Sequence, residues 1–274
     1  MTTTPIGAAL ARLAPVGLAE LVERAALQTR VDRKYLVPAE SLPLLLERLV
    51  PYAQVLDIDG ERGFRYRSVY FDTSQLVSYH RAAQRRRRRF KVRTRTYLDS
   101  AQCWLEVKIN GARGSITKHR LPYHPGDCDT VDPGRDFVDG ALARESIGPA
   151  PGSRLDPILV TEYRRATLLL PDTASRVTVD TALAWRHGDA TLWLPGLAVV
   201  ETKTASAATL VDRMLWRAGM RPARISKYAT GLAALRPDLP DGPWRRTLRR
   251  HFHGAASPVG PTLSPLPEQE ASCV

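Results

Sequence analysis

A chain of 274 residues with 43% hydrophobic content is long enough for one large domain or two small ones with a buried core, which excludes disorder throughout. Forty Lys plus Arg against 28 Asp plus Glu leave a net charge of +12, so the natural partner is a polyanion: nucleic acid, phospholipid headgroups or a phosphate chain. No stretch reaches the roughly eighteen apolar residues of a membrane helix, the first residues show no basic cluster ahead of an apolar run, so no secretory signal is expected, and Cys103, Cys128 and Cys273 show no CxxC spacing. The expectation is a cytoplasmic protein with neither a disulfide frame nor a zinc site.

Residues 1–23 are small and apolar with Pro5, Pro15 and Gly17, and read as a loose lead-in with a short helix from Leu18. Residues 27–37 read as a strand ending at Pro38, and 41–49 as an amphipathic helix with Pro43 in its first turn. From there the hydrophobic period becomes two. Residues 62–71, 87–97, 102–109, 115–123, 157–170, 175–185, 190–193 and 197–204 read as strands, joined by turns such as Asn110-Gly111 and His187-Gly188. That pattern predicts eight or nine strands, mostly antiparallel. Residues 127–152, rich in Asp, Gly and Pro, have room for one short helix at 140–146. Helices follow at 205–218, with Leu210, Val211, Met214 and Leu215 on one face, and at 227–235, ended by Pro237. The main domain is placed at 24–240, and 241–274 reads as a mostly disordered Pro/Ser/Arg tail with a basic cluster at Arg245, Arg246, Arg249 and Arg250.

Strand parity then sorts the charges. Alternate residues of a strand share a face, so Arg89, Lys91, Arg93, Arg95 and Tyr97 point one way and Phe90, Val92, Thr94 and Thr96 the other. The same parity groups Glu106 with Lys108, Lys118 with Arg120, Arg30 with Asp32 and Lys34, Tyr163 with Arg165, Arg176 with Thr178 and Asp180, and Glu201 with Lys203. A solvated sheet face mixes both signs with Ser, Thr and Gln; these faces are dominated by cations. Two cations about 5 Å apart repel by roughly 3 kcal/mol at an effective dielectric near 20, a strain that an anion would relieve. Of the forty cations only six are lysines, Lys34, Lys91, Lys108, Lys118, Lys203 and Lys227, and each falls in or beside a strand or a helix edge. The predicted fold class is α+β: an antiparallel β-barrel with a cationic lumen and helices packed outside.

The segments RVDRKY (30–35), YFDT (70–73), KVRTRTY (91–97), WLEVK (104–108), KHR (118–120), EYRR (162–165), RVTVDT (176–181), VVETK (199–203) and SKYATG (226–231), in this order, resemble the VTC domain of polyphosphate polymerases over residues 27–235. That family is similar to the CYTH-like triphosphate tunnel metalloenzymes. The resemblance implies an eight-stranded antiparallel barrel, the triphosphate tunnel, and an ATP-dependent transferase that adds the γ-phosphate to a growing polyphosphate chain and releases ADP. Carried over residue by residue, it implies that Lys34, Arg93, Arg95, Lys108, Lys118, Arg165 and Lys227 contact phosphate, with Lys203 joining them as catalytic. It implies Glu201 as the ligand of Mn2+ or Mg2+, with Glu106 and Asp180 as further candidates. Arg30, Arg89, Lys91, Arg120, Arg176 and Tyr163 complete the expected substrate contacts. The expected partners are ATP, inorganic polyphosphate, triphosphate and pyrophosphate.

The chemistry suits such a lining. A phosphoryl group in transfer carries its charge on peripheral oxygens, so catalysis is largely positioning and electrostatic stabilisation. Arg acts as a two-pronged clamp and Lys as a compact point charge. The first strand departs from the Glu-x-Glu-x-Lys of the wider superfamily, having Arg30, Asp32 and Lys34 there, so it is expected to add little to the metal and to favour the polymerase branch. The run Arg85–Arg89 is read as a funnel at the tunnel mouth. The absence of GxxxxGK[ST] excludes a P-loop, and sparse aromatics argue against sequence-specific nucleic-acid binding. A tunnel hydrolase of inorganic or nucleoside triphosphate and a non-catalytic polyphosphate-binding module stay open as alternatives. The chain shows no membrane span; a separate membrane partner is compatible with it.

Overall fold

The computed structural model describes residues 4–24, 31–111, 116–150, 152–205 and 207–252. Three elements open the chain: α1 (Pro5–Ala11), β1 (Ala14–Val16) and α2 (Leu18–Arg24). The expected helix from Leu18 is present as α2, whereas α1 and β1 order a stretch that reads as loose in the sequence. Thr4 accepts from the Gly7 amide to cap α1, Pro5 fits its first turn, and Ala9, Leu10 and Leu13 are buried. Small apolar residues carry little periodic signal, so this helix becomes visible only through what it packs against.

The main body contains β2 (Val31–Pro38), α3 (Leu42–Leu49), β3 (Gln54–Leu56), β4 (Phe64–Asp72), α4 (Val77–Ala83), β5 (Arg89–Tyr97), β6 (Gln102–Asn110), β7 (Ile116–Tyr123) and α5 (Arg135–Arg144). It continues with β8 (Asp156–Leu170), β9 (Ser175–His187), β10 (Ala190–Leu194), β11 (Leu197–Thr204), α6 (Leu210–Arg217), α7 (Lys227–Leu235) and α8 (Arg245–His251). Strand β3 and helix α4 have no counterpart among the expected elements, and α8 lies at the start of the stretch expected to be a disordered tail. Residues 253–274 lie outside the described residues.

The sheet has eleven strands, with a main path β2-β11-β9-β8-β4-β5-β6-β7 and β1, β3 and β10 attached to its sides. Every neighbour along the main path is antiparallel. The path is eight strands long, yet β2 and β7 are not paired with each other, so the expected closed eight-stranded barrel is not what is seen. The sheet is curled but open along one seam.

Two clusters cover its convex face. Tyr35, Val37, Leu168, Val177, Val179 and Val200 pack beneath α1, α3 and α6, while Val69, Phe90, Val92, Leu105, Val107 and Ile109 pack against α5 and the segment before it. A capping box fixes α6: Thr209 accepts from the Asp212 amide and Asp212 accepts from the Thr209 amide. Asp212 also accepts from Tyr35 Oη (2.6 Å) and Thr202 Oγ1 (2.8 Å), which anchors α6 to the outside of the sheet.

The third cluster corrects the expectation that all helices lie outside. Tyr228, Ala229, Leu232 and Ala233 of α7 pack with Leu36, Tyr66, Tyr70, Tyr163, Trp185 and Val199, residues of the concave face. Helix α7 is thus received inside the curl. The approach is close at Gly231, where any β-carbon would collide with the Trp185 indole, so only glycine fits. Among the described residues no helix is long and apolar enough to cross a membrane.

Candidate functional site

Cross-strand register carries the parity argument into three dimensions. Lys91 pairs with Lys108, and Lys108 with Lys118, so three lysines stand in one row across β5, β6 and β7. Like charges directly opposite destabilise a sheet, yet here three occur in succession. The next row is Arg93, Glu106 and Arg120. Over the concavity, the charge of Lys34 acts on Lys108, and those of Asp32 and Glu201 do so in the opposite sense, so β2 and β11 lie within electrostatic reach of β6. Between the arginines, Thr94 points outward and donates to the Cys128 carbonyl.

Three carboxylates, two of them fully buried, organise these cations. Glu106 accepts from Arg93 Nε (2.8 Å) and Nη2 (2.7 Å) through Oε2 and pairs with Lys118 through Oε1; Arg95 Nη1 lies 3.9 Å from it. Asp180 accepts both prongs of Arg165, at 2.6 and 2.8 Å, and is also bonded by Lys227. Glu201 Oε1 receives Lys34 at 2.7 Å and Lys203 at 2.9 Å. Burial pushes each carboxyl up, but the adjacent cations prevail and hold all three below the usual carboxylate range.

The lysines bear the opposite consequence. Burial, with Lys108, Arg93, Lys34 and Arg89 around it, brings Lys91 down to about 7. Burial also brings Lys203 to about 7, partly offset by Glu201; Lys118, 40% exposed, is brought to about 8 by partial desolvation with Arg93 and Arg95 nearby, against the pull of Glu106. Lys108 is lowered by burial and by Lys34. Lys91 donates to Ser226 Oγ (2.8 Å), which caps α7 by accepting from the Ala229 amide. The two residues that open SKYATG, Ser226 and Lys227, therefore enter the lumen together.

The aromatic residues of the concave face brace the arginines. Arg165 lies 5.2 Å from the ring centres of both Tyr66 and Tyr163, Lys227 4.4 Å from Tyr163, and Arg93 Nη1 donates to Tyr70 Oη at 2.9 Å. Among the described residues, Arg95 Nε and Tyr163 Oη are buried without a hydrogen-bond partner. Burial pushes the Tyr163 phenol up, but Arg95, Arg165 and Lys227 bring it below its ordinary value. Unmet donors beside so much positive charge are where the oxygens of an anion fit.

The motif YFDT acts at a distance. Asp72 accepts from the amides of Thr73, Ser78 and Tyr79 at the start of α4 and from Tyr228 Oη at 2.6 Å. It thereby ties α4 to α7 and sets the depth at which Lys227 enters. The sequence reading assigned no role to Asp72, Ser226 or Tyr70, since their partners lie far along the chain.

Of the expected site residues, Lys34, Lys91, Arg93, Arg95, Lys108, Lys118, Tyr163, Arg165, Arg176, Lys203 and Lys227 share the concave face. Arg89 stands at the end of β5, donating to the Arg86 carbonyl (2.8 Å), and Arg120 stacks on Trp104 at 3.8 Å on the β7 edge. Arg30 lies outside the described residues. The neighbouring run is partly tied down: Arg88 donates to the carbonyls of Glu145 and Ser146.

Residues 29–236 match the VTC domain family. The chain belongs to that family. No curated protein matches it. Among solved structures, an adenylate cyclase candidate from Bacillus halodurans is similar with a TM-score of 0.50 at 16% identity, over 72% of this chain and 94% of the other. An adenylyl cyclase candidate from Hippeastrum with a dominant triphosphatase activity is similar with a TM-score of 0.48 at 16% identity, over 74% and 94%. The first of these likenesses, at a TM-score of 0.50, shows a shared fold and nothing beyond it.

The donor set of this VTC domain limits how a metal could sit. Among the described residues no three of His, Cys, Asp and Glu group closely enough to hold an ion, so Glu201, Glu106 and Asp180 do not form one centre. Glu106 and Asp180 have both oxygens engaged by cations. Glu201 takes both lysines on Oε1, which leaves Oε2 for a further ligand. Asp32, beside Lys203 in register, is the second carboxylate on that side of the lumen, although the sequence reading discounted its strand. One or two carboxylates completed by substrate oxygens is the ordinary pattern for Mg2+ or Mn2+ at a phosphate site, and Glu201 fits it.

Proposed function

We propose that this VTC domain is an ATP-dependent polyphosphate polymerase whose lumen holds the phosphate chain. The observation that carries the reading is that all six lysines of a chain with forty cations converge on the concave face, three of them in cross-strand register. Nothing in folding favours that arrangement; a polyphosphate does, because each added phosphate brings its own negative charge to the next cation along the groove.

In the reaction, an anionic terminal oxygen of the chain attacks the γ-phosphorus of ATP. The bond from that phosphorus to the bridging oxygen breaks, and ADP leaves with the oxygen. The acceptor needs no general base, since its terminal oxygen is already charged. Arg93, Arg95 and Arg165 neutralise charge on the peripheral oxygens, with Glu106 and Asp180 holding their forks in place beforehand. Lys91, Lys108, Lys118 and Lys34 hold the chain, and Lys227 and Tyr163 complete the phosphate contacts. A divalent ion on Glu201 supplies further charge neutralisation when bound. Trp104, under Arg120, supports the rim at the seam.

Incubation with ATP and manganese, followed by gel separation, tests the proposal. A polyphosphate ladder with ADP supports it. Orthophosphate without a ladder would instead identify a tunnel triphosphatase, and tight polyphosphate binding with neither product a non-catalytic module.

A further inference from the structure

A second strongly basic surface lies outside the lumen. Helix α8 buries Trp244, Thr247 and Phe252 and exposes Arg245, Arg246, Arg249 and Arg250. These four and Gly242 line a surface groove of about 580 Å³. Two i,i+4 pairs of like charge, Arg245 with Arg249 and Arg246 with Arg250, disfavour a helix. Arg245 is compensated, donating to Asp241 at 3.0 Å; among the described residues Arg246, Arg249 and Arg250 have no carboxylate partner. The helix is nonetheless firmly seated. Trp244 packs against Tyr79 with ring centres 5.8 Å apart, Phe252 packs against Trp185 at the same separation, and Thr247 Oγ1 donates to the Arg224 carbonyl. A rigid helix that presents four guanidiniums to a single groove is a platform for phosphate oxygens, which match the Arg fork.

We propose that the α8 groove is a second binding site for inorganic polyphosphate, engaging the part of the chain that lies outside the lumen. The inference rests on the lumen reading above. Thr247, on the buried side of α8, donates to the carbonyl of Arg224, three residues before Lys227, so α8 is seated on the segment that leads into the lumen. A polyphosphate long enough to extend past the lumen would reach both, and the second contact would then be intramolecular. Charge complementarity favours a bare phosphate chain over a lipid surface, because the exposed side of α8 offers four arginines and no large apolar side chain to enter a bilayer.

The test compares the full chain with the Arg246→Gln/Arg249→Gln/Arg250→Gln variant, leaving Arg245 in its pair with Asp241. Affinities for tripolyphosphate and for long-chain polyphosphate are measured by calorimetry at one ionic strength. The variant is expected to bind tripolyphosphate as the parent does, which also reports an intact fold, and to bind the long chain at least about tenfold more weakly. An unchanged long-chain affinity overturns the proposal. Flotation with vesicles containing anionic phospholipid runs in parallel: vesicle binding by the parent that the variant loses, with long-chain affinity unchanged, would assign the groove to lipid headgroups instead. Failure of the parent to bind tripolyphosphate at all would be a different result, and would remove the lumen reading itself.

Discussion

Asp180→Asn removes one negative charge and almost no volume, and its effect follows from the surroundings. The Asp180 side chain is 1% exposed, and the two cations it joins, Arg165 and Lys227, are each 14% exposed, so the range for buried pairs applies rather than that for surface pairs. Deleting one partner of a buried pair costs about 3–5 kcal/mol, because the remaining charges stay buried without compensation. For a domain of this size that corresponds to a fall in Tm of about 6–20 °C. An anion in the lumen replaces part of what was lost. Tripolyphosphate at a hundred times its Kd stabilises any protein that binds it by about 2.7 kcal/mol, and the same concentration should raise the Tm of the variant by more than it raises that of the parent, since Arg165 and Lys227 are then freed to bind it. Differential scanning calorimetry at fixed ionic strength, with and without tripolyphosphate, makes the measurement. A variant that melts with the parent and shows the same increment would refute the idea that Asp180 stands in for phosphate.

The parity of β5 predicts that Arg93→Ala or Arg95→Ala lowers turnover about a hundredfold, whereas Thr94→Val, which loses only the outward bond to Cys128, leaves turnover near normal and costs about 1 kcal/mol of stability; equal kinetic damage at all three positions would refute the parity. Glu201→Gln should abolish metal-dependent turnover while tripolyphosphate binding in chelator stays intact or tightens, and calorimetry showing lost anion binding would mean that Glu201 only braces Lys34 and Lys203. Lys91 and Lys203 near 7 and Lys118 near 8 all lie below 10.5, the value for an unfolded lysine, so these groups make the unliganded fold more stable as pH rises from about 7 towards 10. An anion raises the same pKa values, so binding at pH 8 should take up protons, and Lys91→Arg should reduce the uptake; titration in two buffers of different ionisation heat would show no uptake if the lysines were already charged.

Much of the site was readable because it depends on a local rule. A strand alternates its faces whatever surrounds it, so the grouping of Lys91 with Arg93 and Arg95, of Glu106 with Lys108, and of Glu201 with Lys203 followed from the order of residues, as did most strand positions. The same period-two argument predicted an inward cationic face. Helices α1, α4 and α8 escaped because each is short and held by distant packing: Leu10 and Leu13 by α3 and its neighbours, the start of α4 by Asp72, and α8 by Trp185 and Tyr79.

What only the tertiary structure decided is which charges meet. Lys34 and Glu201 are 167 residues apart, and Tyr228 and Asp72 are 156 apart; these contacts depend on how far the sheet curls, and curl is a collective property of twist and packing that no single strand encodes. The open seam between β2 and β7, the entry of α7 on the concave side, and the use of Glu106 and Asp180 as braces for arginine rather than as partners of Glu201 all follow from that curl. The amino-acid order by itself determined that a cationic face exists. The fold determined which of its cations are already satisfied and which still await an anion.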